Sequence, residues 1–146
     1  MNGGVFTRAS DSLASVLWSR LGISSTGLDD GVTEFEDFKG IWDTGATHSV
    51  ITQAVVDSLD LKSIEKVIVQ HAHGRAEASV YLVNFALPCG VAIPNLRVTM
   101  GNLGGEYDVL IGMDVIGRGD FAVSNFNGRT VFGFRVPSAA DVDWTV

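Results

Sequence analysis

From Gly31 onward the sequence breaks into short β-branched and aromatic runs separated by Gly, Asn and Pro, the texture of small antiparallel strands and hairpins. Strands are expected near Glu34–Phe38, Ile41–Asp43, Lys66–Gln70, Ser79–Leu87, Leu96–Met100, Val109–Ile111, Phe121–Asn125 and Thr130–Arg135. In "FAVSNFNGRTVFGF" the pair Asn127-Gly128 sits between two apolar runs, a strong hairpin signal because both residues tolerate positive φ. Short helices are expected after Thr52 and after Asp114.

The N-terminal stretch reads differently. Leu13, Val16, Leu17 and Leu21 share one helical face, Ser10 or Asp11 can cap the start and Gly22 can end it, so a helix is expected over Ser10–Leu21. The following "ISSTGLDDG" reads as a surface connection. The chain of 146 residues is the size of one domain. It divides into an N-terminal helix and connection (1–30), a mostly β body (31–137) and a tail (138–146) that reads equally as an edge strand, from the alternation of Val142, Trp144 and Val146, or as a frayed end.

Charge and cysteine usage exclude several functions. A net charge of -7 opposes broad attraction to nucleic acid or anionic lipid. Cys89, the only cysteine, excludes an intrachain disulfide and a thiol-pair zinc site, which fits a reducing cytoplasm. No run approaches the roughly 20 apolar residues of a membrane span, and the N-terminus lacks a signal pattern. Hydrophobic residues make up 46% and charged residues 18%, a balance that supports a folded core.

The chemistry concentrates in "GIWDTGATHSV". Asp43 follows Ile41 and Trp42 at the expected end of a buried strand and leads into Thr44-Gly45-Ala46, where glycine permits close backbone approach. The triplet alone also suits a plain Asx turn. A second element lies far downstream, "YDVLIGMDVI", in which Val109–Ile111 lead into Gly112.

Together, "WDTGATHSVI", a candidate flap hairpin in "VIVQHAHGRAEASVYLV", and "DVLIGMDVI" with its following hairpin resemble aspartic proteases of the retropepsin type, including related enzymes of retroelements and bacteria. The resemblance spans about Gly31 to Pro137. It implies a mostly β, single-domain, retropepsin-like acid protease fold, a closed or bent barrel of antiparallel hairpins, with the N-terminal helix as an addition. It also implies a homodimeric endopeptidase acting on protein or peptide substrates, in which Asp43 of each chain meets its counterpart. Two carboxylates roughly 3 Å apart share one proton, one acting as base toward water and the other as acid toward the peptide carbonyl. No cofactor or metal is required. Thr44 would brace the join between subunits and Gly45 would leave room for substrate. Ala46, where pepsins often carry serine, implies a pH optimum less acidic than pepsin's. His73, Gly74 and Arg75 would form the flap tip, while Leu110, Ile111 and Gly112 would support the Asp43 loop.

The sequence also departs from that pattern. Viral members often carry an acid after the Ala and an Arg after the downstream Gly, and here those positions are Thr47 and Met113. In viral enzymes the chain termini interleave in the dimer; with both ends of that acid–Arg link replaced here, the departure implies a dimer held by other, more apolar contacts. A non-catalytic peptide-binding or dimerisation module on the same fold is the alternative function. Among competing constellations, His48, His71 and His73 lack a nearby acidic or thiol ligand and read as surface histidines. Cys89 in "LPCGV" reads as part of a turn, and "GNLGGEYD" lacks the lysine and helix of a phosphate loop.

Overall fold

A computed structural model describes residues 3–26 and 34–145. Its strands are β1 (Gly4–Ala9), β2 (Trp18–Ser25), β3 (Glu36–Trp42), β4 (Val50–Ile51), β5 (Glu65–His71), β6 (Gly74–Ala86), β7 (Ala92–Met100), β8 (Val109–Ile111), β9 (Asp120–Ser124) and β10 (Val131–Val136). Two short helices, α1 (Gln53–Ser58) and α2 (Met113–Ile116), follow Thr52 and Gly112.

Seven strands form one sheet in the order β2-β3-β8-β4-β7-β6-β5, and β2 also pairs with β6, so the first six close into a barrel with β5 as an extension. Closure leaves those six strands without an open edge. The core fills the barrel with Ile23, Ile51, Val83, Phe85, Ile93, Val109 and Ile111, all fully buried. A second sheet, β1-β10-β9, packs its Phe6, Phe121, Phe132 and Phe134 against Trp42 at the end of β3.

Two expectations are corrected. The Ser10–Leu21 helix is absent, and its residues instead form a loop followed by β2. Alternation wins there: Ser19, Leu21 and Ile23 are buried on one side of the strand, paired to β3, whereas Leu13 and Val16 of the supposed helical stripe are exposed. Nor are all pairings antiparallel, since β3–β8 and β4–β7 are parallel. The expected connection "ISSTGLDDG" contributes Ile23–Ser25 to β2, and residues 27–31 lie outside the described set. Asn127 and Gly128 take the left-handed conformation expected of them, with φ of 57° and 73°, in a tight turn that joins β9 to β10. No helix among the described residues is long and apolar enough to cross a membrane.

The C-terminal segment forms no edge strand among the described residues. It is clasped by Asp120, which accepts bonds from the Ala139 N–H, the Ser138 hydroxyl and the Arg135 guanidinium. These donors hold the Asp120 carboxyl far below the usual carboxylate range, the Ala139 N–H contributing most. A depressed folded-state pKa stabilises the clasp fully above the unfolded value near 4, and this is lost only as pH falls from there toward the lower folded value. The clasp is therefore expected to persist in moderate acid. Amide exchange at Ala139 should stay slow from pH 7 to about pH 4 and become fast at every pH in Asp120→Ala, which removes both acceptor oxygens; slow exchange in that variant would rule out the clasp.

Candidate active site

The Asp43 loop is built by extending the β3–β8 ladder by one bond. The Asp43 N–H donates to the Ile111 carbonyl at 2.9 Å, so the residue leaves the barrel wall locked to the strand that leads into Gly112. One residue earlier, the Trp42 N–H donates to the Leu17 carbonyl and its indole Nε1–H to the buried Ser19 hydroxyl, both at 2.8 Å. The position of the acid is thus set from two sides.

The chain then turns tightly. The Gly45 N–H donates to Asp43 Oδ1 at 2.8 Å and the Ala46 N–H to the Asp43 carbonyl at 3.2 Å. A Cβ at Gly45 would sit 3.1 Å from Oδ1, so glycine keeps the approach to the carboxylate open. The Oδ1 bond is the Asx-type turn that any Asp-Thr-Gly can make. Among the described residues, however, no donor reaches Oδ2. Thr44 and Gly45 are exposed and Asp43 is half-buried, so the acid faces accessible space.

Leu110, Ile111 and Gly112 stand directly behind this loop. Leu110 pairs with both Ile41 and Val50, Ile111 is fully buried, and the Met113 N–H donates to the Ala46 carbonyl at 2.8 Å. Gly112 has no alternative here, because a Cβ would come within 2.9 Å of the Ala46 and His48 carbonyl oxygens.

Two residues that sequence reasoning missed complete the support. The fully buried Ser49 hydroxyl accepts the Gly112 N–H at 3.0 Å and donates to Asp114 Oδ1 at 2.7 Å, while the Ser49 N–H donates to Asp114 Oδ2 at 2.9 Å. The carboxylate at the start of α2 thereby ties the far end of the Asp43 loop to Gly112. Its available signal was position alone, a Ser six residues after the acid and an Asp two residues after the glycine. Ser49→Ala would leave the Gly112 N–H and an Asp114 oxygen without their partner, an expected loss of about 1–3 kcal/mol in urea unfolding. A loss below about 0.5 kcal/mol would mean the link is not structural.

The β5–β6 hairpin pairs His71 with Gly74, which places Ala72 and His73 in its two-residue turn. The turn therefore centres just before Gly74, whose φ is 119°; His73, Gly74 and Arg75 are all exposed. His48, beyond the Asp43 turn, lines a cavity of about 290 Å³ together with Val67 and Val69 of β5, Val80 of β6 and Val98 of β7. Among the described residues, no group of three or more His, Cys, Asp or Glu is arranged to hold a metal. Cys89 lies in a turn, as expected from Pro88-Cys89-Gly90, where Gly90 has a φ of 82°. Thr47 and Met113 are both exposed.

Comparison with known proteins bears on this geometry. The solved retropepsin-like aspartic protease from Rickettsia conorii superimposes with a TM-score of 0.55 at 12% identity, over 93% of this chain and 97% of that one. The EIAV protease, solved with the inhibitor HBY-793, superimposes with a TM-score of 0.53 at 19% identity, over 74% of this chain and 91% of that one. At such identities the likeness establishes a shared fold. No curated protein matches. A family model described as aspartyl protease matches residues 28–115, a stretch that holds the Asp-Thr-Gly loop, the β5–β6 hairpin and the Leu110–Gly112 support. Since that match covers more than half the chain and the retropepsin-like fold carries it, the chain belongs to the aspartyl protease family.

Proposed function

We propose that the chain is an aspartic endopeptidase that acts as a homodimer, with Asp43 of each subunit forming the catalytic pair. The observation that carries this reading is the Asp43 carboxylate itself, fixed at Oδ1 by the Gly45 N–H and free of donors at Oδ2 among the described residues, on an exposed loop braced from behind by Gly112. One carboxylate of the pair takes a proton from water as it attacks the peptide carbonyl, and the other protonates the carbonyl oxygen. As the C–N bond of the resulting diol breaks, the proton taken from water passes to the leaving nitrogen and a diol hydroxyl returns its proton to the other carboxylate, which leaves a carboxylic acid, an amine and the singly protonated pair. Two chains are required because the Asp-Thr-Gly triplet occurs once per chain.

The remaining roles follow from position. Exposed Thr44 braces the join between subunits, and Gly45 leaves the carboxylate open to the substrate backbone. Ala46 holds Met113 through its carbonyl. Leu110, Ile111 and Gly112 act as support without touching substrate. The hairpin carrying His73, Gly74 and Arg75 serves as the flap, with the cavity beside His48 beneath its strands. The lone Cys89 suits a reducing, cytoplasmic setting.

The test is digestion of an unstructured protein by the purified chain from pH 2 to 8, with sedimentation run in parallel. Cleavage is expected from a dimer, blocked by a statine-type peptide, with an optimum above pepsin's. Full activity from a strict monomer would sink the shared pair, and an optimum near pH 2 would refute the reading of Ala46.

A further inference from the structure

Strand β1 and the start of the C-terminal segment are both engaged within the chain itself. β1 pairs with β10 and packs at Gly4 against the turn after β6, where a Cβ would lie 2.8 Å from the Cys89 carbonyl oxygen and from Val91 Cγ2. The C-terminal segment is held by Asp120 through Ser138 and Ala139. Interleaving of free termini between two chains would first have to undo these contacts.

The other edge of the small sheet is β9. Its one strand neighbour among the described residues is β10, and every residue from Ala122 to Arg129 is exposed. An uncovered edge presents a row of backbone donors and acceptors ready to pair. By alternation Val123 belongs to the face of Phe121, and it sits opposite the buried Phe132. Yet Val123 is 40% exposed and Phe126, just beyond it, 80% exposed. The aromatic layer beneath Trp42 runs out at this strand, leaving an apolar rim in water. At its other end β9 meets the candidate site: Asp120 and Phe121 line one concavity with Thr44, Met113 and Ile116.

We infer that β9 is the edge through which two copies of this chain associate. It pairs antiparallel with β9 of a second copy across a two-fold axis, joining two three-stranded sheets in the order β1-β10-β9-β9-β10-β1. Such a contact is self-complementary, because one strand read in the opposite direction offers acceptors where its mate offers donors. Val123 and Phe126 of each copy then cover those of the other. The occupant is a second copy because the edge runs into the loop bearing the chain's single Asp-Thr-Gly, whose chemistry needs a second carboxylate. This inference rests on the proposed shared pair, and it replaces interleaved termini with an edge that both copies already present.

The test uses the full chain with Cys89→Ser and single cysteines at Ala122, Val123 or Ser124, and Val5→Cys on β1 as control. Under mild oxidation at least one β9 cysteine should give disulfide-linked dimers roughly tenfold faster than Val5→Cys. In parallel, Val123→Asp, which opposes like charges near the axis, should raise the dimer dissociation constant by roughly tenfold in sedimentation, and Val5→Asp should not. Should Val123→Asp fail to fold by circular dichroism, the cysteine series decides alone. Absence of cross-linking at all three β9 positions, or a parent chain that stays monomeric, overturns the inference. A β9-linked dimer that cleaves no peptide would defeat the protease reading and leave the interface standing. A proteolytic dimer indifferent to every β9 change would do the reverse.

Discussion

Asp43→Asn is expected to abolish peptide cleavage, lowering kcat/KM by about a thousandfold or more, with no change in fold or association state. The substitution separates geometry from chemistry. An amide oxygen can still accept the 2.8 Å bond from the Gly45 N–H, and the ladder bond from the Asp43 N–H to Ile111 is a backbone contact that any side chain keeps. The loop should therefore hold its shape, and circular dichroism and sedimentation should match the parent chain. What an amide cannot do is take a proton from water or share one with its twin. A residual rate within tenfold of the parent would mean that Asp43 does not carry the reaction. A peptide-binding module would bind as before and lose nothing measurable, so peptide affinity measured beside turnover tells the two functions apart. Under the proposed shared pair, activity in a mixture of parent and variant chains should fall further than the fraction of variant alone predicts, because a mixed dimer would keep only one carboxylate.

Much of this architecture is legible in the sequence, and the exceptions have definite physical causes. The Asn127-Gly128 turn is readable because its φ values restrict residue type directly. The meeting of the Asp43 loop with Leu110–Gly112 came through the family resemblance and not from local pattern, because an apolar run ending in glycine is equally an ordinary buried strand and turn. Leu13, Val16, Leu17 and Leu21 misled because helical spacing arises easily in a short leucine-containing stretch, while β2 draws its stability from pairing with β3 and β6 in the barrel wall, which local pattern does not encode. Strand direction escaped for a similar reason. Alternation looks the same in parallel and antiparallel ladders, so nothing in "VLI" marks β8 as parallel to β3. The Ser49–Asp114 link was hidden because its partners are separated by 65 positions and each residue alone resembles any polar side chain facing water.

Trp42→Ala should produce the largest loss of stability, about 3–5 kcal/mol in urea unfolding. Trp42 is only 4% exposed, and its indole joins the two sheets: it stacks on Phe121 at 5.7 Å between centroids and meets Phe6 at 5.5 Å and Phe134 at 5.2 Å. Truncation removes that aromatic surface together and opens a cavity that rigid strands on both sides cannot close. It also strands the buried Ser19 hydroxyl, which loses the indole N–H. Trp42→Phe isolates this second contribution, because it restores most of the ring packing but not the donor, and it should cost about 1–3 kcal/mol. Folded domains typically hold about 5–15 kcal/mol in total, so the alanine variant should be partly unfolded at moderate temperature. Its consequence for function is separable from simple unfolding. Trp42 immediately precedes Asp43 and anchors the end of β3, so the folded fraction of Trp42→Phe should show reduced kcat with KM little changed, as the acid drifts within an otherwise intact cleft. If Trp42→Ala cost less than about 1 kcal/mol, the small sheet would have to be held to the barrel by contacts other than this aromatic layer, and the placement of the acid would need another anchor.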